Sequence, residues 1–504
     1  AALSDRRGRL LGDNVTGHAV FLMASSERAL LEALVRLGRL VPVSPELRDA
    51  VRRRFRRAPQ QPVLVLADVD FAVLSALEER RAQLPDLVIQ TVPKRWYPAG
   101  AAVAAITGYT SEATDRELTS ASGAKSGVAP GELVGRGGLE QQYDSLLRGA
   151  AGARFTEVDA RGRIVRELGA LALPPRPGVT LQTTIDLELQ QFVAALFGDS
   201  LRGGAIAMDP RSGEVLALHS APSFDPNRFV GGIPPDYWAA LTTDPRRPLF
   251  NKVLQARYPP ASTWKLATAV LALQSGTVGL GTHMPIPDRG GLWYGGRYFR
   301  DWYRPGHGDI DLTTAIEVSC NVYFYQLGLK LGLPQLLRGG VALGFRDRTG
   351  IDLPNEAAPR FPADVGYYDR RYGVGGWSNA AVLNLAIGQG ENDQTLVSMA
   401  RFYTALATDG RAARPTLTPR PPMRTPLFQL SPAQLTGLRT ALAGVVSARG
   451  TAGGSRLEGI ALAGKTGTAQ NAQAPEQDHA WFVGFAPAEQ PEIVVAVLLE
   501  FGEH

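Results

Sequence analysis

Ser262-Thr263-Trp264-Lys265, Ser319-Cys320-Asn321 and Lys465-Thr466-Gly467-Thr468 are the strings in this 504-residue chain whose residue types and spacing can do chemistry together. In chain order they read S-x-x-K, S-x-N and K-T-G-T. A serine hydroxyl is a poor nucleophile until a base takes its proton. Lysine serves as that base only when neutral, and burial or a neighbouring positive charge drives it there. Lys465 is the candidate neighbour. About 3.6 residues make a helical turn, so Lys265 falls over Ser262 on one helix face. Ser319 can relay a proton between Lys265 and a leaving amine, while Asn321 holds a substrate amide. In the third string Lys465 and Thr468 can bind a carboxylate beside Thr466, and Gly467 allows close backbone approach on an edge strand. The Ser262 N–H and one from the strand after Thr468 would form an oxyanion hole. Singly, S-x-x-K and S-x-N read better as helix caps. Together and in this order they point to acyl transfer from a peptide that ends in a free carboxylate.

The elements that must position these strings are legible around them. Tyr258-Pro259-Pro260-Ala261 blocks backward extension of a helix, so one begins near Ser262 and continues through Leu266–Val270. Leu312–Val318 is helix-like ahead of Ser319. Gly204–Met208 and Glu214–His219 flank an Asp209-Pro210-Arg211-Ser212-Gly213 turn and predict a β-hairpin. Leu462–Gln470, Ala480–Phe485 and Ile493–Phe501 predict three further strands. Strands from both ends of a domain with helices between them predict an α+β fold, a mostly antiparallel sheet covered by helices. Earlier in the chain, helix-like Ser25–Leu40 and Ser44–Arg57 alternate with β-like Pro62–Leu66 and Leu87–Val92. Pro174-Pro175-Arg176-Pro177-Gly178 is a stiff break. After it Val179–Ile185 reads as a strand and Leu187–Phe197 as an amphipathic helix. The domains are therefore set at 1–185, a mixed α/β pedestal, and 186–504, the catalytic part.

Composition narrows the function. Charged residues are 20% of the chain and the net charge is +5, with arginine spread along the length, so nucleic acid is not expected as a partner. The basic run Arg52–Arg54 with Arg56 and Arg57 reads as a solvated helix face. Cys320 is the single cysteine, which excludes an intrachain disulfide. No apolar run approaches the ~20 residues that cross a bilayer, and no signal peptide is evident.

Beyond the three strings the chain resembles the class B penicillin-binding proteins, and within them the elongation type, penicillin-binding protein 2. The likeness runs through Asp5-Arg6-Arg7-Gly8-Arg9-Leu10-Leu11, Arg95-Trp96-Tyr97-Pro98, Ile106-Thr107-Gly108-Tyr109 and Gly138-Leu139-Glu140-Gln141-Gln142-Tyr143-Asp144. It continues in Val158-Asp159-Ala160-Arg161-Gly162, Ile387-Gly388-Gln389-Gly390 and Asp478-His479-Ala480-Trp481-Phe482-Val483-Gly484-Phe485. The resemblance implies a penicillin-binding transpeptidase fold with a five-stranded antiparallel sheet behind a non-catalytic, dimerisation-type pedestal. It implies a peptidoglycan D,D-transpeptidase, acylated by β-lactams, that cross-links stem peptides during cell elongation. It further implies a single-pass inner-membrane anchor outside these residues, a periplasmic catalytic part, and partnership with a polytopic glycosyltransferase and other elongation-machinery proteins.

Asp288, Asp301, His307 and Cys320 form an acceptable tetrahedral zinc set. Some elongation-type relatives look alike there, which implies a structural zinc bracing the loop before Ser319. Asp309 and Asp311 stand near Asp288 as alternatives, and Cys320 also reads simply as a small buried side chain. Two other uses of the same acyl-enzyme stay open: a carboxypeptidase or β-lactamase passing the acyl group to water, and a β-lactam sensor. A β-lactamase needs a water-activating base the strings do not supply, and a sensor needs a signalling segment.

Overall fold

The computed structural model of the chain describes residues 1–502 apart from 60, 115–116, 118–127, 129–131, 151, 154, 159–163, 168, 170–172 and 471–476. Asp159 to Gly162 of the quoted motifs thus lie outside the described residues. Contacts divide the chain into two units, Ala1–Gln182 with Phe224–Leu241, and Thr183–Ser223 with Thr242–His504.

In the first unit β1 (Leu3–Ser4), β2 (Leu10–Leu22), β3 (Val63–Leu66), β4 (Leu87–Trp96) and β5 (Leu181–Gln182) form one mixed sheet, with β2 paired to β1, β3 and β4. Helices α1 (Glu27–Leu37) and α2 (Pro45–Arg57) start where Ser26 and Ser44 accept hydrogen bonds from Ala29 N and Leu47 N. Their apolar faces (Leu30, Leu34, Val51, Phe55) meet Val20, Leu22, Val63 and Val65 of the sheet in one core. On the outer face Arg52 and Arg56 pair with Glu27, and Arg54 with Glu112. The predicted strand Val179–Ile185 shrinks to Leu181–Gln182, because the Thr184 N–H leaves the ladder for the Leu417 carbonyl at 2.8 Å.

Several quoted motifs prove to be structural. Asp5 is fully buried and accepts from the Arg7 and Arg9 amides at 2.8 Å, tying a turn through Gly8. Arg95 donates to Glu140 at 2.6 Å and to the Ala1 carbonyl, and the Tyr97 hydroxyl also donates to Glu140. Burial pushes the Glu140 carboxyl up, against the pull of Arg95. Gly138 has φ +53, and a Cβ on it would meet Gly108 N at 2.3 Å, so only glycine lets these two segments touch.

The second unit is built on β7–β6–β12–β11–β10, every neighbour antiparallel: β6 (Gly203–Met208), β7 (Val215–Ala221), β10 (Ala463–Ala469), β11 (His479–Ala486) and β12 (Ile493–Leu499). Strands β8 (Gly291–Tyr294) and β9 (Arg297–Arg300) form a separate hairpin. The K-T-G-T string lies on β10, at the sheet edge. Helix α3 (Lys265–Gln274) is buried along nearly every residue, the pattern of a helix inside a domain. Beside it stand α4 (Leu312–Glu317), α5 (Asn321–Leu331) and α6 (Ala380–Ala386), whose Ala386 carbonyl accepts from Thr268 Oγ1 at 2.8 Å, while α7 (Leu396–Ala407) lies across β6, β11 and β12. Among the described residues no helix is long and apolar enough to cross a membrane.

Candidate active site

Ser262 does not open the α-helix directly. Ala261–Trp264 make a 3-10 turn that runs into α3 at Lys265. In such a turn residues three apart eclipse, so Lys265 stacks over Ser262 more squarely than in an α-helix. Ala261 sits at φ +49, a strained value for a residue with a Cβ. The strain is held by its N–H donating to the Gly388 carbonyl at 3.0 Å and by the Tyr403 hydroxyl donating to the Thr263 carbonyl at 3.0 Å.

Lys265 is fully buried, and its Nζ donates to Ser319 O at 2.7 Å, Asn321 Oδ1 at 2.7 Å and Ser319 Oγ at 3.3 Å. Burial lowers it to about 8, against the opposing pull of Asp301 and Cys320. Burial comes first among the causes, ahead of any charge nearby, and Lys465, offered by the sequence as the second cation, lies close enough that Lys265 lowers it in turn. Lys465 is itself completely buried and held well below the ordinary lysine range, by burial first and then by Lys265. Burial is the cause that depresses the base.

Ser319 adopts φ +57 between the end of α4 and the start of α5. Cys320 is the N-cap of α5, its sulfur accepting from Tyr323 N at 3.3 Å. The Asp301 carboxylate reaches the same helix end, accepting from Asn321 N at 2.6 Å and Val322 N at 3.3 Å. That role of Asp301 had no local signal, since it is 20 residues from its partner. On β10, a Cβ at Gly467 would lie 3.3 Å from Ser262 N and 3.1 Å from Pro260 O, so its bare backbone closes on the nucleophile's turn. Gln389 Nε2 donates to Thr468 O at 3.3 Å, and the Thr451 and Thr466 hydroxyls lie 2.8 Å apart. Sequence reasoning missed Thr451, which nothing near it in the chain marks.

Asp288, Asp301, His307 and Cys320 gather with ligand atoms all within 4.8 Å of one another. Asp288 Oδ2 lies 2.8 Å from His307 Nδ1 and 3.4 Å from Cys320 Sγ. Burial pushes the Asp288 carboxyl up, but hydrogen bonds from His307, Gly290 and Cys320 prevail and hold it below its usual value. Burial and then Asp301 push the Cys320 thiol above its usual range. Asp309 instead pairs with His283 at 2.8 Å, and Asp311 caps α4 through Thr314 N at 2.8 Å.

The strings far apart in sequence thus converge at the edge of one sheet. A model of the penicillin-binding protein dimerisation domain matches residues 1–183, and one of the penicillin binding protein transpeptidase domain matches 203–503. The chain is 32% identical to the peptidoglycan D,D-transpeptidase MrdA of Acinetobacter baumannii over 99% of its own length and 77% of that protein's. It is 30% identical to the Escherichia coli K12 protein of the same name, covering 99% and 82%. Its fold is similar to PBP2 of Helicobacter pylori in complex with MreC, with TM-score 0.88, 29% identity and coverage of 100% and 94%. It is also similar to Pseudomonas aeruginosa PBP2 in complex with WCK 5153, with TM-score 0.73, 28% identity and coverage of 100% and 91%. With both halves matched and relatives spanning nearly its whole length, the chain belongs to the penicillin-binding proteins of the PBP2 type, a dimerisation domain followed by a transpeptidase domain.

Proposed function

We propose that this peptidoglycan D,D-transpeptidase works through Ser262, with Lys265 as its base. The observation that carries the reading is a buried lysine lowered to about 8, one 3-10 turn from a serine that follows the strained Ala261. Ser262 Oγ attacks the carbonyl of the D-Ala-D-Ala bond and its proton passes to Lys265. The bond to the last D-Ala breaks, and the departing amine takes a proton relayed through Ser319 Oγ. The amine of a neighbouring stem peptide then attacks the ester and loses a proton to the same base. That base passes it to Ser262 Oγ as the ester bond breaks and the cross-linking amide remains. Asn321 holds the substrate amide. Lys465 and Thr468 take the terminal carboxylate, with Thr466 and Gly467 shaping the strand edge. The arriving carboxylate favours the charged form of Lys465, against the burial that disfavours it. A β-lactam follows the first step, but its opened ring stays attached, so the adduct persists.

Asp288, Asp301, His307 and Cys320 would hold a structural zinc. They fit because two nearly fully buried carboxylates converge on one imidazole and one thiol, a negative cage suited to a divalent cation. Bound there, zinc would supply a fixed tie across the loop from Asp288 to Cys320. Cys320 would then pin Ser319 and Asn321 on either side of it.

On this reading the protein serves cell elongation from the periplasmic face of the inner membrane, beside a polytopic glycosyltransferase. Similar structures carrying MreC and a peptidoglycan synthase complex support that placement. The test is intact mass after penicillin G, followed over hours. Wild type should keep a stable adduct that Ser262→Ala lacks. Adduct that vanishes within seconds while the drug is consumed means a hydrolase instead.

A further inference from the structure

The β8–β9 hairpin has two unlike faces. Its register pairs Leu292 with Phe299 and Trp293 with Tyr298. Leu292 and Phe299 are buried, and the Phe299 ring meets Tyr325 of α5 at 5.8 Å, so this face holds the hairpin to the domain. On the other face Trp293 is 71% exposed, its ring 5.3 Å from that of Tyr298. Tyr298 lies across bare backbone: a Cβ on Gly291 would sit 2.5 Å from the ring. Just past the hairpin come a second exposed pair, Trp302 and Tyr303, with centroids 5.8 Å apart. The Trp302 indole donates to the carbonyl of Val318, which precedes Ser319, at 3.1 Å. Arg297, Arg300 and Arg304 are exposed here and form no ion pair among the described residues.

Paired aromatic rings left in water beside the exposed Arg300, which alternates onto the same face as Tyr298, mark an interaction surface. Arg297 turns to the other face and lies over the Phe299 ring at 5.5 Å. The negative π face of an indole or phenol suits the C–H bonds on one side of a sugar ring. Guanidinium groups suit the carboxylates that sugars and stem peptides carry. The surface also begins at the wall of the proposed peptide cleft, where the sugar bearing the stem peptide must lie within that peptide's reach.

We infer that the outward face of this hairpin, with Trp293 and Tyr298 as its stacking surface, binds the glycan backbone of the peptidoglycan strand. This rests on the transpeptidase reading. The test titrates the whole chain by calorimetry with short glycan oligomers bearing pentapeptides, and with the same pentapeptide free of sugar. Oligomers should bind wild type about tenfold more tightly than bare peptide. Trp293→Ala with Tyr298→Ala should remove that advantage, and Trp293→Phe, which keeps a ring, should retain most of it. Arg300→Ala should weaken oligomer binding most at low salt. Equal affinity of wild type for the two ligands, or an undiminished advantage in the double aromatic variant, overturns the inference. Anionic lipid vesicles that bind wild type but not the arginine variant, with no preference for glycan, would assign the face to a membrane and overturn it too. The penicillin adduct on wild-type Ser262 separates the levels. If it forms, the transpeptidase reading stands even where the glycan inference falls; if it does not, both fall.

Discussion

Lys265 has to be buried enough to lose its proton yet anchored enough to face Ser262. Its hydrogen bonds to Ser319 and Asn321 supply the anchor and burial supplies the shift. A lysine lowered to about 8 is mostly neutral above that pH and mostly protonated below it. The second-order rate of acylation by penicillin G should therefore rise with pH through about 8 and then level off. A flat profile in stopped-flow measurements would remove Lys265 from the role of base. Lys265→Ala should slow acylation by about a hundredfold or more. Ser319 permits a cleaner separation. Its φ of +57 suits glycine, so Ser319→Gly deletes the hydroxyl while relaxing the backbone. Melting should stay within a few degrees of wild type, while transfer of the acyl group to an amine acceptor falls by about a hundredfold. If transfer survives in Ser319→Gly, the relay runs elsewhere.

Among the elements, the turn leaving α6 and the turn carrying Ser262 are pressed together at Gly388. A Cβ there would lie 2.3 Å from the Ala261 carbonyl oxygen, at φ +77. Gly388→Ala should cost about 2 kcal/mol or more and shift Ser262, so both melting temperature and penicillin acylation fall. Acylation at the wild-type rate would mean that the turn is not held from this side. The proposed zinc cage would bind the loop before α5 to that helix's first turn. Metal analysis of natively purified protein should find zinc, and chelation should lower the melting point of wild type more than of Cys320→Ser. Equal melting with and without chelator, in protein that holds no zinc, would leave Cys320 as a helix cap alone. The strands were readable because Ile493–Leu499 is a short continuous apolar run, rich in valine, with turn residues on its flanks. Helix starts were readable from Ser44 and Asp186, whose side chains accept from the amides that follow. The β8–β9 hairpin was missed because its Gly295-Gly296 turn sits among mixed aromatic and basic residues without a clean period. The 3-10 turn at Ser262 was missed because its conformation is imposed by Gly388 and Tyr403, more than a hundred residues away in the chain.

At the scale of the molecule, the segment from Phe224 to Leu241 lies between stretches of the second unit in sequence and belongs to the first in space. Asn227 exchanges hydrogen bonds with the Tyr97 backbone at 2.9 and 3.0 Å, and Phe229 stacks on Tyr109 at 3.9 Å. A fragment beginning at Thr183 would strip those partners away and leave Phe224 and Phe229 in water. It should aggregate, while the same fragment with residues 224–241 replaced by a short Gly/Ser linker should stay monomeric and still acquire penicillin at Ser262. Equal solubility of the two fragments would show that the segment stands without its host. The chain consequently crosses between its units at three places, after Gln182, Ser223 and Leu241. No single gene fusion can exchange one half of this protein for that of a relative. A viable chimaera needs all three junctions at once, so recombination within such a gene would pass the two halves on as one inheritance.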